Sequence, residues 1–364
     1  MADGIEPLEF WILNEDFESV FLIDSAESLI WTERHCGYGD FEIYAMIDTE
    51  LFSNTEQNYY AWKKGSDRLM IIDTRTVDSD VSKGTHLKIE GVSLEHILTR
   101  RIIWTQTRLN GSLDSQVRKV INDNIMNPSD TKRKIPNFRY KNATDPRVLG
   151  ITIDETYTGY LVYDIVNELC ETYDLGWRVT YNPNGNLFEF QLYDTVDRSY
   201  SQNTNPYVVF SPGFDNIISS NYYESNREYK NVALVAGEDL GVGTARKTVT
   251  VDLANQTGLH RREMFVDARD LQSEREDQSV MTPTEYNQTL RTRGLKYLYE
   301  YQEQNLFEGE VEASQTFVYG VDFVLGDTVQ IRDAYGIEAK ARIDEIIFSE
   351  GEDGRSVIPT FAMV

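Results

Sequence analysis

Two linked stretches decide how this chain is read: Thr282-Pro283-Thr284-Glu285-Tyr286, and downstream Tyr319-Gly320-Val321-Asp322-Phe323-Val324-Leu325-Gly326-Asp327-Thr328-Val329. Thr282 is suited to an N-cap, Pro283 to the first helical position and Glu285 to a capping box, three independent signals for one helix start. The spacing predicts a helix over 284–305. Tyr286, Leu290, Tyr297 and Tyr301 recur at helical intervals, and Gly294 lies in the same row, where a neighbour can approach closely. Val311 then opens a β-rich tail. Asp322 and Asp327 flank a glycine turn, where carboxylates ordinarily accept backbone hydrogen bonds. Nothing in this module pairs a nucleophile with a base, so it reads as assembly rather than chemistry.

The chain has 364 residues, 40% of them hydrophobic and 12% aromatic, enough for two or three domains with real cores and too apolar for a disordered chain. Its formal charge of −25 repels nucleic acid and anionic membranes at long range. Sequence-specific nucleic-acid binding is therefore not expected, although a like-charged wall still permits a polyanion to pass. The two cysteines, Cys36 and Cys170, have neither CxxC nor zinc spacing and read as free or buried thiols. Acidic residues crowd the first thirty positions and no run of about eighteen apolar residues occurs. A chain made and kept soluble, without a secretory leader or stable membrane insertion, is the expectation.

Residues 1–104 read mostly as short strands: Leu8-Glu9-Phe10-Trp11-Ile12-Leu13, Val20-Phe21-Leu22-Ile23, Ser28-Leu29-Ile30-Trp31-Thr32, Phe41-Glu42-Ile43-Tyr44-Ala45-Met46, Arg68-Leu69-Met70-Ile71-Ile72 and Thr85-His86-Leu87-Lys88-Ile89. This pitch suggests a small β-barrel, with Ser93 capping a short helix through Leu98. Residues 105–205 change to mixed α/β. Ser112 can cap a helix carrying Val117, Val120, Ile121 and Ile125, and Lys132-Arg133-Lys134 is the only compact basic cluster, which on its own reads as a solvated loop. Leu161, Ile165, Leu169 and Tyr173 mark a second helix, with Gly176 as its stop. A hairpin then turns at Asn182-Pro183-Asn184-Gly185-Asn186. Residues 206–364 are again β-rich around the helix at 284–305, with strands at 207–210, 217–223, 231–236, 247–251, 263–266, 328–332, 339–348 and 356–362. The fold class is α+β and β-rich.

The sequence offers no reactive constellation. With 60 Asp and Glu residues, carboxylate pairs arise by chance, and the four histidines, His35, His86, His96 and His260, occur singly. Gly241-Val242-Gly243 lacks a following helix signal, and no serine stands in a GxSxG context. The five tryptophans and 22 tyrosines could stack on sugars, but in strands such residues more often build cores and subunit contacts. No catalytic, cofactor-binding or metal-ligating residue is assigned.

Several separated motifs, in order, give the chain a family likeness: Ser28-Leu29-Ile30-Trp31-Thr32-Glu33-Arg34, Gly39-Asp40-Phe41-Glu42-Ile43, Thr158-Gly159, Leu175-Gly176-Trp177-Arg178-Val179, Asp197-Arg198-Ser199, Val208-Val209-Phe210-Ser211, Asp215-Asn216-Ile217, Tyr229-Lys230-Asn231-Val232-Ala233-Leu234-Val235-Ala236-Gly237-Glu238 and the 319–329 stretch. Together they resemble the baseplate-hub, or tail-tip hub, proteins of long-tailed bacteriophages, the siphophage hubs in particular. The resemblance implies β-barrel-like hub domains at 1–104 and 206–364, with the α/β domain 105–205 inserted between them. It also implies a homotrimeric ring of quasi-sixfold symmetry.

Such a ring would sit at the virion tail tip after synthesis in the host bacterial cytoplasm. It would join the tail tube and the distal tail protein to tail-fibre, receptor-binding or tip proteins, serve host attachment, and pass the tape measure protein and then DNA during ejection. The resemblance brings no catalytic motif and no cofactor. Three copies would carry a formal −75, three times −25, consistent with a wall along which DNA slides. Two other readings fit parts of the sequence: a host-surface glycan-binding or glycan-cleaving protein, and the hub of a contractile tail or injection device.

Overall fold

The computed structural model describes residues 8–363 apart from 83, 215, 217–218, 240–244, 275–278, 311–315, 333–337 and 353. Val311, Ile217-Ile218 and Gly241-Val242-Gly243 thus lie outside the described residues. The chain forms two compact units, one made of Met1–Asn221 with Phe307–Val364, the other of Tyr222–Leu306.

The first unit begins with strands β1 (Phe10–Leu13), β2 (Ser19–Ile23), β3 (Ser28–Arg34) and β4 (Asp40–Met46), the short helix α1 (Thr49–Ser53), and strands β5 (Tyr60–Lys63), β6 (Leu69–Asp80) and β7 (Gly84–Ser93). They pair antiparallel in the order β3-β4-β7-β6-β5-β1-β2. Alternation places their side chains: Phe41, Ile43 and Ala45 of β4 are buried while Asp40, Glu42 and Tyr44 are half-exposed. Phe10 stacks on Trp31, and Trp31 on Phe41, in a core with Leu29, Ile43 and Ile89. The sheet is an open path among the described residues, with β2 at its end, and no barrel closes.

After β7 the chain makes a 3-10 helix, Leu94–Arg100, rather than an α-helix, and Ser93 makes no side-chain cap. Its hydroxyl instead accepts the Gly39 amide at 2.9 Å. Next come β8 (Thr107–Ser112), α2 (Leu113–Ile121), a π turn (Asn122–Met126), β9 (Phe138–Lys141), α3 (Pro146–Gly150), β10 (Thr152–Tyr157), α4 (Val162–Thr172), β11 (Leu175–Asn182) and β12 (Leu187–Asp194). Ser112 caps α2 as its sequence predicts, accepting from the Ser115 amide. The hairpin at 182–186 joins β11 to β12, with Gly185 and Asn186 at positive φ. Gly176 does not stop α4. Asp174 takes the left-handed conformation there, and Gly176 lies in β11, where a Cβ would stand 2.2 Å from the Tyr193 ring. The helices and hairpin share one core with the back of the N-terminal sheet, where Leu13, Leu69 and Ile71 join Leu98, Ile121, Ile165, Trp177 and Phe190. Each such side chain contributes roughly 1.5–3 kcal/mol by burial.

Strand β13 (Val209–Phe210) follows, and the chain passes to the second unit within β14 (Ser219–Ser225). There β15 (Val232–Ala236) lies between β16 (Thr248–Asp252), antiparallel, and β17 (Glu263–Asp267), parallel. Helix α5 (Pro283–Glu300) covers one face of this sheet. Both halves of the capping box at Thr282 and Glu285 are formed. The helix ends at Glu300 rather than 305, and its buried row is Tyr286, Leu290, Gly294 and Leu298. Leu298 rather than Tyr301 continues that row, since steps of four and 3.6 residues keep it on the same face. A Cβ on Gly294 would come within 2.6 Å of Val235 and 2.7 Å of Val251, the close approach its place in the row predicts.

The chain returns through β18 (Gln304–Glu310) to β19 (Thr328–Arg332), β20 (Glu338–Gly351) and β21 (Gly354–Met363). Strand β20 pairs with β19, with β21 and, antiparallel, with β3, placing Phe348 opposite Trp31. The two ends of the chain therefore share one sheet.

Candidate functional site

The join between β3 and β20 buries an unusual set of charges. Alternation along β3 sends Leu29, Trp31 and Glu33 to the same face, so an acidic side chain enters the core beside a tryptophan. Glu33 is 6% exposed. Its Oε1 accepts the Trp31 indole N–H at 3.1 Å and the Lys63 ammonium at 3.3 Å, and its Oε2 accepts the Tyr319 hydroxyl at 3.0 Å. The Arg68 guanidinium stands 3.7 Å from Glu33 Oε2 and donates to Glu95 Oε1 at 3.2 Å. Glu95, also buried, accepts the Val179 amide of β11 at 2.9 Å. Lys63 lies over the Phe348 ring, 3.2 Å from its centroid.

Burial opposes the charged form of Glu33, but Lys63 and Arg68, helped by the indole and the phenol, outweigh it and hold this carboxyl below the usual carboxylate range. Burial, then the Glu33 charge, pushes the Tyr319 phenol well above its ordinary value, so it stays protonated and donates. The network thus links β3, β5, the 3-10 helix, β11 and the 319–323 turn by charge-assisted hydrogen bonds. The cavity beside it, lined by Glu33, Arg34, Arg68, Ser93 and Glu95 among others, measures about 10 Å³. That is room for at most a water molecule.

Of the residues singled out in the sequence, those of the 319–329 stretch shape the turn that carries Tyr319 into this network. Asp322 Oδ2 accepts the Val318 amide at 2.7 Å and Asp327 Oδ2 accepts the Val324 amide at 3.1 Å, the turn-shaping role their setting predicts. Asp327, 1% exposed, also receives Arg198 Nε at 2.7 Å. Gly320 and Gly326 have φ of +83° and +89°. A Cβ on Gly326 would meet the His35 ring at 2.7 Å.

His35 is buried, with Nδ1 3.1 Å from the Tyr193 hydroxyl and Nε2 without a partner among the described residues. Burial, then the charge of Arg342, lowers its pKa to about 3, so it is neutral. His86 bonds Glu27 at 2.8 Å, His96 packs against Tyr38, and His260 lies in a separate 3-10 turn. Cys36 and Cys170 are both free thiols. Among the described residues no group of three or more His, Cys, Asp or Glu is placed to hold a metal ion, and no helix is long and apolar enough to cross a membrane.

Sequence reasoning did not single out Glu33 or Arg68 as a pair. The signal for Glu33 was present in its parity with Leu29 and Trp31, whereas nothing local marks Arg68 as its partner.

Solved phage tail proteins share this fold. The crystal structure of a 43 kDa tail protein of prophage MuSo2 from Shewanella oneidensis is 13% identical, with a TM-score of 0.59 over 97% of this chain and 98% of that one. A tail protein from Neisseria meningitidis MC58 is 13% identical, with a TM-score of 0.61 over 98% and 97%. Prophage tail protein gp18 from Listeria monocytogenes EGD-e is 10% identical, with a TM-score of 0.53 over 98% and 94%. Residues 9–361 match the family described as Siphovirus ReqiPepy6 Gp37-like protein, and the chain belongs to that family. No curated protein matches it.

Proposed function

We propose that the chain is the structural hub at the tip of a long non-contractile phage tail. In this reading three copies form a ring that links the tail tube and the distal tail protein to tip or receptor-binding proteins. The ring gives passage to the tape measure protein and then to DNA. The observation that carries the proposal is the correspondence, over 97% or more of this chain, with tail proteins of the same fold. The Glu33 network supports it, because its charges are spent on one another and hold chain ends together instead of facing a substrate. The net charge of −25 suits a channel wall that does not retain DNA. The role is thus non-enzymatic, with the chain itself, the neighbouring tail proteins and the tape measure as partners.

Electron cryo-microscopy of tails together with the mass of the purified protein tests this reading. A threefold ring of this chain at the tail tip is the expected result. A chain that is monomeric in solution and absent from the tail tip, or one that degrades cell-wall glycan, would overturn it.

A further inference from the structure

On a chain of charge −25, one small surface of the first unit is basic. Lys132 and Lys134 are exposed on and beside the 3-10 turn Thr131–Arg133, whose start is capped by Asp130, the acid nearest in sequence. Arg101 Nε donates to the Arg133 carbonyl at 2.7 Å, and Arg133 donates to the Ile102 carbonyl at 2.7 Å and to Asn124 Oδ1 at 3.1 Å. Neutral oxygens, not carboxylates, therefore fix both guanidiniums. Arg133 also lies over the indole of Trp104, 4.4 Å from the ring, and that tryptophan is 62% exposed. Among the described residues none makes an ion pair with Arg101, Lys132, Arg133 or Lys134. Burial, then the charges of Arg133 and Arg100, lowers the Arg101 pKa, as uncompensated positive charge should.

Unmatched cations on an acidic protein are the reverse of what self-neutralisation produces. Two of them are already held by internal hydrogen bonds, which lowers the ordering cost of binding, and tryptophan and arginine are enriched among the residues that carry interface energy. We propose that Arg101, Lys132, Arg133 and Lys134, with Trp104, form a docking surface for an acidic segment of a neighbouring protein chain. A protein segment fits better than nucleic acid. A long polyanion carries charge past the patch on a molecule of net charge −25, whereas a short acidic segment ends within the screening length of about 8–10 Å. The inference does not depend on the hub role.

The test uses the intact chain, a fluorescein-labelled glutamate-rich peptide containing one phenylalanine, and a single-stranded oligonucleotide of equal charge, at about 50 mM salt and above. The expected result is saturable peptide binding that weakens with salt, with little binding of the oligonucleotide. K132E/K134E, whose side chains make no internal bond that folding needs, weakens peptide binding about tenfold or more. W104A weakens it several-fold without a change of charge. The equal charge change R227E/K230E in the second unit leaves it unaltered. Circular dichroism melting curves confirm that each variant is folded. The proposal is overturned if the peptide fails to bind, if K132E/K134E and W104A bind it as the unsubstituted chain does, if R227E/K230E weakens it equally, or if the oligonucleotide binds more tightly.

Discussion

The Tyr319 hydroxyl donates to Glu33 Oε2 at 3.0 Å across 286 positions of sequence. Tyr319→Phe removes one donor from a buried carboxylate and should lower stability by about 1–3 kcal/mol. Glu33→Gln leaves Lys63 and Arg68 buried beside a neutral group and should cost more, about 3–5 kcal/mol. Urea denaturation of the two variants checks the order. Equal or negligible losses would mean that the network does not couple these segments.

Acid should destabilise the chain in two stages. His35 has a folded pKa of about 3 against 6.5 unfolded, so below pH 6.5 the unfolded chain takes up a proton that the folded chain does not. Stability then falls by about 1.4 kcal/mol per pH unit until the pH nears the folded value. Glu33, held below the ordinary carboxylate value of 4.5, adds a second loss as the pH falls from there through its folded pKa. His35→Leu should remove the His35 contribution to the slope from pH 6.5 down to about 3 and leave the Glu33 loss below 4.5 in place, measured by denaturation at stepped pH.

Gly320 and Gly326 both have positive φ, but nothing lies within 4 Å of a Cβ at Gly320, whereas one at Gly326 would collide with the His35 ring. Gly320→Ala should cost about 1 kcal/mol of backbone strain. Gly326→Ala should cost distinctly more, and a smaller residue in place of His35 should restore part of the difference. Melting temperatures of the single and double variants decide it.

At Gly294 helix propensity and packing oppose each other. Alanine gains about 1 kcal/mol as a helix former, but its methyl would press on Val235 and Val251 at 2.6 and 2.7 Å. Overpacking of this kind costs about 1–3 kcal/mol, so Gly294→Ala should be neutral to destabilising. Combining it with Val251→Ala should reduce the clash, giving a measurable coupling in a double-mutant cycle.

The two thiols should be slow to react in the folded protein. Burial, moderated by Arg342, pushes the Cys36 thiol up to about 12, and burial raises Cys170 well above its ordinary value. The thiolate is the reactive form. Ellman's reagent at pH 8 should therefore titrate the two thiols slowly, and both rapidly once the chain is unfolded. Fast labelling of the native protein would contradict this burial.

Much of the fold was legible where the cause is local. The start of α5 was written in Thr282, Pro283 and Glu285, because a capping box closes over four residues. The β11–β12 hairpin was written in its asparagine-glycine turn. Where a tertiary contact competed, local reading failed. Ser93 gave its hydroxyl to the Gly39 amide instead of a helix, and Gly176 served the Tyr193 ring instead of a helix end. The site was less legible still. The parity of Leu29, Trp31 and Glu33 turns the carboxylate inward, but its partners come from residues 63, 68 and 319.

The sequence by itself determined the α+β, β-rich class, the runs that become strands, the turn roles of Asp322 and Asp327, and an acidic surface. Each follows from residue type and a period of two or about four positions. Only the tertiary structure decided that β20 lies beside β3, that the small sheet under α5 is a unit of its own, and that Arg101 meets Arg133, which lies over Trp104. Strand pairing between distant segments is set by which side chains fill one core together, and that energy is spread over many contacts rather than carried by any one motif.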